Sequence, residues 1–118
     1  MKINVLGTKY KVKTRKISED ETMRKNNWCG YCSCEAKEIV IADMSEDEYF
    51  PCMTVHEKDS YRKKTLRHEI IHAFLNESGL MGSSLKYDCA WARNEEMVDW
   101  FAIQSPKIYK VFKEIGCI

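Results

Sequence analysis

At 118 residues the chain is long enough for one hydrophobic core, and a single domain spanning 1–118 is expected. Its 44% hydrophobic and 31% charged residues are ordinary for a globular protein, and 19 basic against 18 acidic residues leave a formal charge of +1. That balance gives no electrostatic reason to expect nucleic acid or a membrane surface as a partner, and no run approaches the roughly 18 apolar residues of a membrane helix.

The N-terminal stretch MKINVLGTKYKVKTRK breaks its apolar positions with Lys and Gly, unlike the core of a secretion signal. A cytoplasmic location is the default expectation, with the six cysteines as reduced thiols or metal ligands and not disulfides. Alternation of Ile3, Val5, Tyr10 and Val12 predicts a hairpin turning at Gly7–Thr8. Residues 18–30 are polar and irregular, a loop or short helix ending at Cys29–Gly30. YCSCEAKEIVIAD then predicts two short strands turning near Ala36–Lys37, the second carried by the β-branched run Ile39–Val40–Ile41. Residues 43–57, with Pro51 as a breaker, read as connection.

A helix is predicted from Asp59 or Ser60, either of which can cap it, to Ser78, with Gly79 as its stop. Leu66, Ile70, Ala73 and Phe74 form one apolar stripe, and Ile71 and Leu75 add a second side. Such a helix is expected between other elements. A second helix is predicted over 90–104, ending before Ser105–Pro106. A final helix, closed by Gly116, presents Ile108, Val111, Phe112 and Ile115 and packs behind the others. Strands first and helices after predict an α+β fold with three or four strands.

The chemistry concentrates in His68-Glu69-Ile70-Ile71-His72. On a helix, residues i and i+4 share a face one turn apart, so the two imidazoles can hold one metal ion. Glu69 sits beside that pair, placed to accept a proton from water activated by the metal. This is the H-E-x-x-H arrangement of zinc peptidases. A catalytic zinc takes a third protein ligand. Leu75 and Ser78 stand where a metzincin would need a glycine and a third histidine, so a carboxylate from a second helix is expected. Asn94-Glu95-Glu96-Met97-Val98-Asp99 offers one. Glu95 and Asp99 share a face, so Glu95 is favoured over Glu96 as the ligand, and Asp99 is positioned to receive the free ring N–H of His68.

H-E-x-x-H followed by N-E-x-x-x-D on a later helix resembles the gluzincin zinc peptidases. The short chain and the form NEEMVDWFA are similar to the ImmA/IrrE-type and phage-encoded minimal gluzincins, although Asp99 stands where the former often carry Asn. The resemblance covers residues 60–104 well and 30–43 more loosely. It implies a zincin-like fold, zinc held by His68, His72 and Glu95, Glu69 as general base, Asp99 supporting a ligand, and hydrolysis of a peptide or protein substrate.

Other motifs weigh less. Cys29, Cys32 and Cys34, with Cys52 later, could hold a second metal, but no second C-x-x-C follows, and reduced thiols are the simpler expectation. Cys29-Gly30-Tyr31-Cys32 lacks the βαβ surroundings of a redox motif. Tyr87, Arg93 and His56 are the candidate donors to a developing oxyanion. Lys58, Arg62, Lys63, Lys64 and Arg67 read as the solvated start of a helix. Trp28, Tyr31, Tyr49 and Phe50 either line a groove or pack. An extended substrate is expected along an edge strand at Glu38–Asp43. Two rival readings stand beside the peptidase: a zinc-binding regulatory or interaction module without turnover, and a cysteine-based metal or redox module.

Overall fold

The computed structural model describes residues 1–83, 90–115 and 117–118. Four strands, β1 (Lys2–Val5), β2 (Thr8–Arg15), β3 (Gly30–Ser33) and β4 (Glu38–Ala42), form one mixed sheet in the order β1-β2-β4-β3. β1–β2 and β4–β3 are antiparallel, whereas β2 and β4 run parallel. The first hairpin turns at Leu6–Gly7, one position before the expected Gly7–Thr8. Both turn residues have positive φ, 49° and 92°, which suits the twist of a two-residue hairpin. The Asn4 side chain accepts from Gly7 N at 2.7 Å and holds the turn.

β4 is central and buried on both faces, which is why it reads as a continuous apolar run. Ile39 and Ile41 join Val5, Tyr10 and Ala73 in one core cluster. Val40 and Ala42 belong to another, with Ile17, Met23, Met44 and Phe50. Met23 comes from the short helix α1 (Glu21–Asn26). The buried Asp20 caps α1 by accepting from Met23 N at 2.9 Å, and also accepts from the Tyr31 hydroxyl at 2.9 Å.

The long helix α2 (Val55–Glu77) begins four to five residues earlier than Asp59 or Ser60 would have it. Thr54 and Glu57 form a reciprocal capping box, and Asp59 pairs with Arg62 and Lys63 inside the helix. The helix ends as expected before Gly79, whose φ is 80°. Its two apolar sides are both used. Leu66, Ile70 and Ala73 pack with the sheet, and Ile71 and Leu75 pack with Met81, Ala92, Met97 and Val98. Phe74 is the exception in its stripe and is exposed. Glu77 fastens the helix end to the sheet by accepting from Thr8, Tyr10 and Lys37.

After the short α3 (Leu80–Ser83), α4 runs unbroken over Glu95–Glu114 with Pro106 inside it. The ligand-bearing helix and the C-terminal helix are therefore one element, not two. Proline at 106 has no N–H to give the Ala102 carbonyl four residues back. The Arg67 side chain donates to that carbonyl instead, from α2. The far half of α4 does not pack behind the fold: Val111, Phe112 and Ile115 are exposed, and Gly116 lies outside the described residues. Among the described residues, no helix is long and apolar enough to cross a membrane.

Candidate metal centre

The first turn of α4 meets the middle of α2 across a cleft of about 710 Å³, whose third wall is the edge strand β3. Asn94 caps α4 by accepting from Met97 N at 2.8 Å, so the helix starts at the cleft with Glu95 as its first residue. Gly30 sets how closely β3 approaches α2. A Cβ there would lie 2.9 Å from Thr65 Cγ2 and 3.1 Å from the Val40 carbonyl oxygen.

Three donor atoms converge. His68 Nε2 and His72 Nε2 are 3.0 Å apart, and Glu95 Oε2 lies 3.0 Å from the first and 3.3 Å from the second. Zinc bonds of about 2.0–2.1 Å in a tetrahedron give ligand–ligand edges of about 3.3 Å. The triangle is thus nearly that of one tetrahedral face, and its two imidazoles and one carboxylate are ligand types zinc accepts. Asp99 Oδ1 stands 2.8 Å from His68 Nδ1. An N–H donated there fixes the tautomer that leaves Nε2 free to ligate. Glu96 is exposed and does not line the cleft.

Glu69 is only 6% exposed, and its donor atom lies within 4.8 Å of those of both histidines. Burial is the main reason its carboxyl is pushed up to about 7, aided by the nearby Glu95, Cys34 and Asp99 and opposed by His68. Burial likewise pulls His72 downward, toward the neutral imidazole that can bind a metal.

The other expectations divide. Arg93 lines the cleft. His56 sits in the first turn of α2, twelve residues before His68 and so about 18 Å along the axis, too far to serve the site. Tyr87 falls outside the described residues. Glu38–Asp43 is not an edge, because β4 lies between β2 and β3; the edge facing the cleft is β3. Cys29, Cys32 and Cys34 reach the cleft, but Cys52 does not, and among the described residues no group of three cysteines assembles for a metal. Trp28 and Tyr31 line the cleft, whereas Phe50 is core and Tyr49 is on the surface.

Tyr61 and Thr65 were missed. Both line the cleft, and they continue the histidine face backward at 61, 65, 68 and 72, a helical spacing readable in the sequence. The Tyr61 hydroxyl is pushed up to about 12 by burial and by its contact with Cys29 Sγ. No family model, curated protein or solved structure matches this chain.

Proposed function

We propose that this protein is a zinc-dependent metallopeptidase of the gluzincin type. In kind it stands near the ImmA/IrrE-like and phage-encoded minimal gluzincins that its motifs resemble, with a zincin-like fold and peptide or protein substrates in the cytoplasm. The observation that carries the proposal is the convergence of His68, His72 and Glu95 at 3.0–3.3 Å, with Glu69 buried beside them. Bound there, zinc would act as a Lewis acid that acidifies water and polarises the scissile carbonyl.

The chain's own groups do the rest. Glu69 accepts a proton from the attacking water and delivers it to the leaving amine, a role suited to a carboxyl held near 7. Asp99 holds the His68 ring in register. An extended peptide pairs with the backbone of Gly30–Ser33. Arg93, from the cleft wall, is the described donor for the developing oxyanion. A zinc module without turnover would have no use for a buried carboxylate at position 69, which favours the catalytic reading.

The test pairs zinc content with peptide cleavage in three variants. Glu69→Gln is expected to keep zinc and lose turnover by about 10²- to 10⁴-fold. Glu95→Gln should lose both, and Glu96→Gln neither. Folded wild-type protein that takes up no zinc on reconstitution would end the proposal, and full cleavage by Glu69→Gln would leave zinc binding alone.

A further inference from the structure

Cys32 belongs to β3, and Cys34 opens the turn that follows it. Their Sγ atoms are 3.7 Å apart, and both side chains are half-buried in the cleft wall. A strand rise of about 3.3 Å puts residues i and i+2 about 6.6 Å apart at Cα, inside the range disulfides span. A bond of about 2.05 Å needs only a further ~1.7 Å of approach. Cys34 is free to supply it, because the β3–β4 ladder ends at the Ser33–Glu38 pair. Cys29, the third thiol of the cleft, contacts the Tyr61 hydroxyl at 3.7 Å and neither of the other two sulfurs.

We propose that Cys32 and Cys34 form a reactive dithiol, separate from the His68–His72–Glu95 donors, that peroxides oxidise to an intrachain disulfide. The Cys34 thiolate attacks the peroxide O–O bond. An S–O bond forms, and the departing hydroxide becomes water by taking up the proton Cys34 gave up on ionising. The Cys32 sulfur then attacks the sulfenic sulfur of Cys34. The S–S bond forms, the S–O bond breaks, and the oxygen leaves as a second water carrying the Cys32 proton. Two thiols lose two electrons, and one hydrogen peroxide is reduced to two waters.

The two sulfurs have unequal roles. The contact with Cys32, in which either sulfur can donate, and the nearby Lys37 charge bring Cys34 downward against the effect of burial. Cys32 is the more deeply placed sulfur, and burial and the nearby Glu69 push it upward, which suits it to the resolving role. A ring this small is strained, and a strained disulfide is readily reduced again. Closure ties the end of β3 to its turn, reshaping the edge on which a peptide would pair. That last consequence rests on the proposed function, whereas the thiol chemistry does not.

The experiment uses the reduced full-length chain, with and without zinc, treated with a few equivalents of hydrogen peroxide, alkylated and analysed by fragment mass spectrometry. The expected product has lost about 2 Da, mapped to a Cys32–Cys34 link and restored by dithiothreitol. Cys32→Ser should accumulate a sulfenic acid on Cys34 that dimedone labels, and Cys34→Ser should leave Cys32 unlabelled at the same dose. Alkylation of both Cys32 and Cys34 in the peroxide-treated wild type overturns the proposal. So does oxidation that falls first on any of the other four cysteines, Cys29, Cys52, Cys89 or Cys117. The wild-type measurement stands even if a serine variant fails to fold, and the disulfide is scored whether or not the protein binds zinc or cleaves peptides.

Discussion

Replacing Arg67 by Met tests why α4 runs straight through a proline. Methionine keeps the apolar stem of the arginine but removes the donor to the Ala102 carbonyl. Ala102 is fully buried, so water does not readily take the donor's place. A hydrogen bond to a charged group is worth about 1.5–3 kcal/mol, and a similar loss of stability is expected. The cause can be isolated, because Pro106→Ala restores a backbone N–H four residues beyond Ala102. In that background the carbonyl keeps a donor, and Arg67→Met should cost less than about 1 kcal/mol, a coupling of about 1–2 kcal/mol. Urea unfolding of the four proteins of the cycle measures it, with unchanged m-values as the control. Zinc affinity gives a second reading, since Glu95 and Asp99 ride on the same helix as Ala102. Equal costs of Arg67→Met in both backgrounds would refute the reasoning and reduce the contact to a surface coincidence.

Three further outcomes are expected. Asp99→Ala should weaken zinc about 10- to 100-fold in a chelator competition while the circular dichroism spectrum is unchanged; equal affinity would mean that Asp99 does not orient His68. Gly30→Ala should lower stability by about 1–3 kcal/mol through overpacking against Thr65 and the Val40 carbonyl, and Thr65→Ser, which removes the 2.9 Å contact but keeps the side-chain hydroxyl that donates to the Tyr61 carbonyl, should recover part of it in thermal melts. Glu77 is held down to about 2, first by Lys37 and then by Tyr10 and Thr8, from an ordinary 4.5. Its folded-state value is the lower one, so its contribution is complete above about 4.5 and is lost as pH falls from there toward 2. The stability advantage of wild type over Glu77→Gln should shrink across that window; an advantage that does not change with pH contradicts the assignment.

Local pattern alone carried much of this protein. Period-two alternation marked the first hairpin, and the run Ile39–Val40–Ile41 marked a strand. The helical period placed His68 and His72 on one face, and Glu95 with Asp99 on another, because a helix turns by a constant angle per residue. Those arguments need no knowledge of distant residues. Where three dimensions decided the outcome, the partner came from elsewhere in the chain. By local rules Ser105–Pro106 ends one helix and opens the next, but Arg67, 39 positions before the proline, supplies the missing donor and α4 continues. Glu38–Asp43 has the pattern of an edge strand in a local hairpin with β3, and only the parallel pairing of β2 on its other side makes it central and leaves β3 to face the cleft. Thr54 caps α2 in place of Asp59 or Ser60 because only it has a glutamate three residues on, Glu57, to complete a capping box. The meeting of Glu95 with the two histidines, and of Cys34 with Cys32, depends on distances between side chains. Spacing along a chain states which atoms can share a face, and only packing states which faces meet.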